Sequence, residues 1–179
     1  NNPVPSFGPV TASILILGLA PGLRGANATG RPFTGDFAGK VLYDALIKTG
    51  FASGTYRATA NDGILLNNVR ISNAVRCVPP QNKPNAAEIA TCRPYLSKEL
   101  GQMKDLKIIL ALGRIAHETI LRHFYLRLKD FPFCHNRLQK LPNGLSMLSS
   151  YHCSRYNVQT KRLSLSMFDE VCARLQSLT

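Results

Sequence analysis

Two short segments, at positions 13–20 and 107–113, are almost entirely apolar after their first residue. Each has a glycine at or near its end. Continuous apolar runs of this length are typical of strands that are buried on both faces of a parallel sheet. Two weaker runs, at 69–74 and 145–150, are candidates for further strands of the same sheet.

Helical patterns lie between and after these runs, at positions 39–49, 86–103, 114–128 and 165–178. Strands that alternate with helices along the whole chain predict an α/β fold with helices on both faces of the sheet. We therefore expect a three-layer α/β/α architecture around a mostly parallel, four-stranded sheet. No internal repeat or linker interrupts the pattern, so residues 1–179 are expected to form a single domain.

The composition adds a strong positive charge to this picture. Of the 179 residues, 45% are hydrophobic, no apolar run approaches the length of a membrane span, and the formal net charge is +12. Such a charge attracts polyanions, although by itself it fits a solvated basic surface equally well. The basic residues are spread along the chain, which favours a folded basic face; they include Arg24, Arg31, Arg70, Arg76, Lys83, Arg114, Arg155 and Lys161.

The cysteines and the start of the chain bear on the cellular compartment. The chain has five cysteines without regular close spacing, and its polar, proline-rich start is unlike a signal peptide. A disulfide framework is therefore disfavoured, and metal binding or inert burial of the thiols stays open. We expect a cytoplasmic protein.

The stretch that follows the first apolar run, residues 18–36, contains five glycines and two prolines. Glycines permit tight turns and a close approach of the backbone to a ligand. The sequence matches neither the dinucleotide-binding pattern nor the phosphate-binding loop of nucleotide hydrolases. Because ligands of open α/β sheets bind beyond the carboxyl ends of the strands, this stretch is the first candidate for a binding site.

Three separated segments resemble known motifs of one enzyme family. Residues 18–39, GLAPGLRGANATGRPFTGDFAG, are similar to the first motif of family 5 uracil-DNA glycosylases, and residues 73–84 are similar to the second motif of families 4 and 5. Residues 150–160 resemble the family 5 segment around the catalytic histidine. The resemblance implies an enzyme of base excision repair that hydrolyses the N-glycosidic bond of uracil, and often of other deaminated bases, in DNA. The resemblance further implies a monomer that acts on DNA at the nucleoid of a prokaryotic cell.

The resemblance also implies roles for residues around the extruded nucleotide. Bond cleavage gives the sugar a cationic character and the base a negative charge, so the site needs a carboxylate near the sugar and hydrogen-bond donors near the base. Asp36 matches the carboxylate, whereas Leu19 stands where family 4 has a glutamate and family 1 an aspartate. The remaining residues of the implied base-binding site are Gly18, Ala20, Pro21, Gly22, Phe33, Asn73 and His152.

Each of these side chains has a simpler structural alternative. Asp36 could be only the N-cap of the helix that follows it, and Phe33 could be a plug under the loop, although it matches the aromatic that stacks on the flipped base. Asn73 can donate to and accept from a pyrimidine edge, but asparagine is also common in turns. His152 could be a structural histidine at a strand end. The family motifs favour the functional role in each case.

A polar segment follows the histidine, at residues 154–162. The resemblance implies that it is a loop that enters the DNA groove, with Arg155, Asn157, Gln159 and Lys161 as contacts. The alternative from composition alone is a solvated polar loop.

Cys77 and Cys92 match two of the four cysteines that hold a [4Fe–4S] cluster in families 4 and 5. The family's other two ligands form a C-x-x-C pair near the amino terminus, which this sequence lacks. Because the chain does not begin with methionine, we expect an upstream segment that supplies the pair. A protein without the cluster, or one that recruits Cys134, Cys153 or Cys172, remains an alternative.

Two other functions remain open. A catalytically inactive, nucleic-acid-binding member of the same fold would keep the basic face, and a nucleoside hydrolase would act on small substrates. No lysine stands at a recognised Schiff-base position, so we expect a monofunctional enzyme that uses water as the nucleophile and leaves the DNA strand uncut.

Overall fold

The computed structural model describes residues 3–79 and 84–179. Residues 80–83, four positions of the second motif, lie outside the described residues. Lys83, expected as part of the basic face, is one of these four residues.

Five of the described strands form the central sheet, which has the order β4-β1-β5-β7-β6. The strands in chain order are β1 (Ile14–Gly18), β2 (Ala52–Ser53), β3 (Leu65–Leu66), β4 (Val69–Asn73), β5 (Ile108–Leu112), β6 (Arg137–Lys140) and β7 (Ser146–Ser150). The first four strands of the sheet order are parallel, whereas β6 runs antiparallel to β7. The α/β class and the parallel sheet are confirmed, and β6 is a fifth strand beyond the four expected.

The helices follow the predicted alternation with two differences. They are α1 (Ala26–Thr29), α2 (Phe37–Lys48), α3 (Ala86–Gln102), α4 (Arg114–His123), α5 (Arg155–Gln159) and α6 (Leu165–Ser177). The helix predicted to reach position 128 ends at His123, and the segment predicted to be a loop contains α5. No helix among the described residues is long and apolar enough to cross a bilayer.

Successive side chains of β1 enter two separate cores, one on each face of the sheet. Ile14 and Ile16 belong to the core that α2 and α6 complete, while Leu15 and Leu17 belong to the core that α3 and α4 complete. All four are fully buried, which stabilises the fold by about 1.5–3 kcal/mol for each side chain. This arrangement confirms the three-layer architecture.

One edge of the sheet is partly covered by an amino-terminal segment, and the other edge is a short strand with charged residues. On the β4 side, Phe7 and Ile71 exchange two backbone hydrogen bonds of 2.9 and 2.7 Å, and the Val4 amide donates to the Arg76 carbonyl at 2.8 Å. The opposite edge is the four-residue strand β6, which carries Arg137 and Lys140 with exposed side chains. Neither edge is a long apolar strand.

The parallel register brings the carboxyl ends of four strands to the same side of the molecule. Gly18 at the end of β1 is paired with Asn73 at the end of β4, and Leu112 of β5 is paired with Ser150 of β7. The loops that follow these strands therefore meet at one edge of the sheet, where α/β proteins bind ligands.

Candidate active site

Gly18 allows the side chains of Phe33 and Asn73 to meet above the end of β1. A methyl group on Gly18 would lie 2.4 Å from Cζ of Phe33 and 2.5 Å from Oδ1 of Asn73. Real side chains do not tolerate such distances, so the absence of a Cβ atom is a condition of this arrangement. Asn73 is the last residue of the edge strand β4 and is nevertheless only 5% exposed.

The backbone of Phe33 adopts a left-handed conformation with φ of 52°. This conformation costs of order 1–3 kcal/mol for a bulky residue and must be held by the surroundings. Helix α2 packs directly on the turn, since a methyl group on Gly39 would lie 2.0 Å from the Phe33 carbonyl oxygen. The Phe33 ring stacks on the ring of His152, with 5.8 Å between centroids and 25° between planes.

Asp36 is the N-cap of helix α2. Its Oδ1 atom accepts a hydrogen bond of 2.8 Å from the Gly39 amide, so the simple capping role is present. The other oxygen, Oδ2, lies against two glycines: a methyl group would approach it to 3.3 Å from Gly22 and to 2.9 Å from Gly25. The residue is exposed, so capping leaves one carboxylate oxygen at the surface of the site.

His152 follows β7 and is half-buried. Burial lowers the pKa of its imidazole below the ordinary value, and the nearby negative charge of Asp36 raises it by a smaller amount. The imidazole is therefore neutral near pH 7. Its backbone carbonyl accepts a hydrogen bond of 2.8 Å from the side chain of Asn157, which ties the histidine to α5.

Asp36 and His152 line a cleft of about 550 Å³ and a smaller recess that adjoins it. The cleft is completed by Leu19, Ala20, Pro21, Gly22, Leu23, Arg24, Gly25 and Ser154. The recess is completed by Ala20, Gly22, Ala26, Phe33, Ala38 and Asn73. Its volume of about 30 Å³ holds about two ordered waters, so a ligand larger than that must widen it.

Another cavity, of about 250 Å³, is also lined by His152. It is lined by Leu19, Leu112, Gly113, Arg114, Ile115, Phe133, Tyr151, His152, Asn157 and Arg162. Arg114 and Phe133 were not expected at a site from the sequence, whereas Arg162 ends the segment 154–162 that is expected to enter the DNA groove. One signal was available for Arg114, because it directly follows the second strong apolar run and its glycine.

The four residues expected to contact DNA differ in their exposure to solvent. Arg155, Gln159 and Lys161 are exposed, and the guanidinium of Arg155 lies 5.5 Å from the centre of the Phe37 ring. Asn157 instead directs its amide to the His152 carbonyl. An exposed aromatic residue that the sequence analysis passed over, Tyr156, lies on the same short helix and is 70% exposed.

The two expected cluster ligands lie on either side of the segment that the structure does not describe. Cys77 is half-buried after β4, and Cys92 is buried within α3. Residues 3–79 and 84–179 contain no group of three or more His, Cys, Asp or Glu side chains that could hold a metal ion. A [4Fe–4S] cluster normally takes four thiolates, so the described residues do not fit that group.

The other cysteines are poor substitutes for the missing ligands. Cys153 and Cys172 are buried in the core, and burial raises the pKa of the Cys172 thiol to about 12. The pKa of the Cys153 thiol is also raised, for the same reason. Both side chains are therefore protonated and inert, and Cys134 is exposed.

Comparison with known proteins places these features in a family context. The sequence model of the uracil DNA glycosylase superfamily matches residues 5–176. The chain is 46% identical over 176 residues to a type-5 uracil-DNA glycosylase of Thermus thermophilus, which covers 98% of this chain and 80% of the relative. It is 40% identical over 178 residues to a type-5 uracil-DNA glycosylase of Mycobacterium bovis, covering 98% of this chain and 66% of the relative.

A more distant relative has a different type. A type-4 uracil-DNA glycosylase of Pyrobaculum aerophilum is 37% identical over 121 residues, which is 67% of this chain and 54% of the relative. The similarity to type 5 therefore extends further along this chain than the similarity to this type-4 protein.

Proposed function

The chain belongs to the uracil-DNA glycosylase superfamily, and on this basis we propose that it hydrolyses the N-glycosidic bond of uracil in DNA and leaves an abasic site. The type-5 relatives support uracil as the substrate. The structural observation that carries the proposal is the convergence of Asp36, Phe33, Asn73 and His152 on one recess at the carboxyl ends of the strands.

Asp36 is proposed to stabilise the cationic sugar. Its Oδ1 atom is fixed by the Gly39 amide, while Oδ2 faces the cleft wall at Gly22 and Gly25. A negative charge held in this way favours the oxocarbenium-like transition state without the cost of reorganising when the bond breaks. The same oxygen can orient the attacking water, because the residue is exposed to solvent.

The base is proposed to be held by three side chains. The amide of Asn73 offers a donor and an acceptor to the pyrimidine edge, and the Phe33 ring offers a face for stacking. The neutral imidazole of His152 donates a hydrogen bond to a carbonyl oxygen of the base as negative charge develops there. The neutral ring carries one N–H group, so it can donate this hydrogen bond without first binding a proton.

The backbone of the first motif completes the proposed base-binding site. Leu19, Ala20, Pro21 and Gly22 form one wall of the cleft. The small side chains of Ala20, Ala26 and Ala38 border the recess and leave room for it to widen when a base enters. Leu19 offers no carboxylate, so the general-base position of families 1 and 4 has no counterpart there and the charge comes from Asp36.

DNA binding is proposed to involve the surface around α5. Arg155 and Lys161 carry exposed positive charges that can neutralise phosphates, and Gln159 is exposed beside them. Asn157 contributes indirectly through the His152 carbonyl. The net charge of +12 supports polyanion binding by the molecule as a whole.

Other parts of the expectation stay predictions. These are the single domain over residues 1–179, the monomeric state, the cytoplasmic location, the action on further deaminated bases and the absence of strand cleavage. The iron–sulfur cluster also stays a prediction, because Cys77 and Cys92 supply only two of the four thiolates. The catalytic steps proposed above do not involve it.

The function can be tested with uracil-containing oligonucleotides. We expect the protein to convert uracil to an abasic site that alkali then cleaves, while an oligonucleotide with cytosine at that position stays intact. The double variant Asp36→Asn/His152→Ala serves as the inactive control. Wild-type protein that leaves uracil untouched would contradict the proposal, and activity that survives in the double variant would contradict the residue assignment.

A further inference from the structure

Arg31 lies two positions before Phe33 and is almost completely buried, with 4% of its surface exposed. Its Nη1 and Nη2 atoms donate to the two carboxylate oxygens of Asp62 at 2.7 and 2.8 Å, and its Nε atom donates to Thr34 Oγ1 at 2.7 Å. The guanidinium also lies 4.9 Å from the centre of the Tyr43 ring. The arginine is therefore fixed in position on every side.

Asp62 connects this arginine to a different part of the chain. Its side chain is fully buried and also accepts hydrogen bonds from the amides of Arg57 and Ile64, at 3.0 and 3.2 Å. The bond to Arg31 holds the pKa of Asp62 well below its ordinary range. The ion pair thus links the loop between β2 and β3, residues 54–64, to the turn that contains Phe33.

Tyr56, which lies on the same loop, contacts the backbone of the turn that contains Phe33. Its hydroxyl accepts a hydrogen bond of 3.1 Å from the Gly35 amide and lies 3.5 Å from the Phe33 carbonyl, to which it donates. Its ring stacks on Tyr43, with 5.0 Å between centroids, and the Tyr43 hydroxyl donates to the Pro32 carbonyl at 2.9 Å. Backbone groups of three turn residues, 32, 33 and 35, are held from outside the turn.

A buried ion pair is a weak source of stability, because an apolar pair of similar volume is often as stable. The Arg31–Asp62 pair instead fixes the position of a turn, and this turn contains the strained Phe33 and leads into Asp36. Among the cavities at the site, none is lined by Arg31, Tyr56 or Asp62 in the part of the chain that the structure describes. They can act on a substrate only through the residues that they hold.

We propose that Tyr56 and the Arg31–Asp62 pair are positioning residues, which hold the Phe33–Asp36 turn so that the aromatic ring and the carboxylate face His152. This inference rests on the proposed glycosylase function for its kinetic consequence. The loop between β2 and β3 holds the turn in place whether or not the protein excises uracil.

The sharpest variant is Tyr56→Phe, which removes the hydroxyl and leaves the ring stack in place. We expect the single-turnover rate of uracil excision to fall by about tenfold or more, because misplacement of reacting groups costs rate without a loss of folding. Affinity for a duplex with a non-hydrolysable uracil analogue and the melting temperature should change little. Tyr125→Phe, at a site that is 93% exposed, is the matched control and should keep the wild-type rate.

The ion pair is tested by the double variant Arg31→Met/Asp62→Leu, which replaces it with apolar side chains. We expect slower excision, since the turn loses its polar anchor, and a somewhat lower melting temperature, because the amides of Arg57 and Ile64 lose their acceptor. An unchanged rate in Tyr56→Phe would overturn the role of the hydroxyl. An unchanged rate in a folded double variant would overturn the role of the pair.

A second readout does not depend on activity. The charge of Asp36 raises the pKa of His152, so Asp36→Asn should lower the pKa of this histidine in an NMR titration. We expect this lowering to be smaller in the Tyr56→Phe background, because the released turn moves the carboxylate away. An equal lowering in both backgrounds would overturn the inference, even if the wild-type protein proved inactive on uracil and the proposed function failed.

Discussion

Asp36 and His152 line the same recess from opposite halves of the sequence, and the charge of Asp36 partly offsets the effect of burial on the pKa of His152. The carboxylate is held by the first turn of α2, and the histidine by the end of β7 and by Asn157. In the proposed reaction the two groups act at opposite ends of one bond, with the negative charge of Asp36 on the sugar side and the hydrogen-bond donor of His152 on the base side.

Asp36→Asn separates the two roles of this residue. Asparagine is as good an N-cap as aspartate, so the melting temperature should stay nearly unchanged. The loss of the charge should slow excision by about 100-fold, because electrostatic stabilisation of the transition state is removed. Single-turnover kinetics and thermal unfolding of the same preparation check both parts. A variant that excises uracil at the wild-type rate would show that Asp36 is only a cap.

Gly18→Ala tests the close approach of Phe33 and Asn73. The added methyl group meets both side chains at about 2.5 Å, so we expect displaced side chains, slower excision and a loss of about 1–3 kcal/mol in the free energy of unfolding. Gly101→Ala is the control: within α3, no atom lies within 4 Å of the new methyl group. There the helix should gain up to about 1 kcal/mol. Urea unfolding of the two variants should give opposite signs.

Asn157→Ala should affect chemistry more than DNA affinity. The side chain supports the His152 carbonyl, so we expect slower single-turnover excision with little change in the salt dependence of binding. Lys161→Ala, which removes an exposed charge, should weaken binding and reduce the salt slope by about one. Binding titrations at several salt concentrations distinguish the two. Equal losses of affinity in both variants would place Asn157 among the phosphate contacts.

Stability should fall as the pH drops below the ordinary histidine pKa of 6.5. Burial lowers the pKa of all four histidines, namely His117, His123, His135 and His152. Below that value the unfolded chain binds protons that the folded chain does not, so the free energy of unfolding decreases as the pH falls. Urea unfolding at about pH 7.5 and about pH 5.5 measures this change. Equal or greater stability at the lower pH would contradict it.

The strands of the parallel sheet could be predicted because burial on both faces leaves an uninterrupted apolar run, as in β1 and β5. The edge strand β6 could not, since Leu138 is its single apolar residue among Arg137, Gln139 and Lys140. Helix α4 was predicted too long because Leu126 and Leu128 continue the apolar pattern after the helix has ended, beyond Tyr125 with its φ of 57°.

The site residues were predicted by resemblance to family motifs, and the structure brings Asp36, Phe33, Asn73 and His152 together. The contacts that hold these residues in place could not be predicted from the sequence. Asp62 stands in a stretch without any motif, and nothing local marks it as the partner of Arg31, 31 positions away. Helix α5 had a usable signal, the capping residue Ser154, but it is too short to show an apolar period.

The backbone pairing of Phe7 with Ile71 has a consequence for how the protein behaves when crowded. An uncovered β4 would offer a row of free amides and carbonyls to the same strand of a neighbouring molecule, which is a common beginning of aggregation. The segment around Phe7 occupies part of that row, and the charged, four-residue β6 makes the far side a poor template. Both features disfavour edge-to-edge pairing of this sheet with a second copy of the chain.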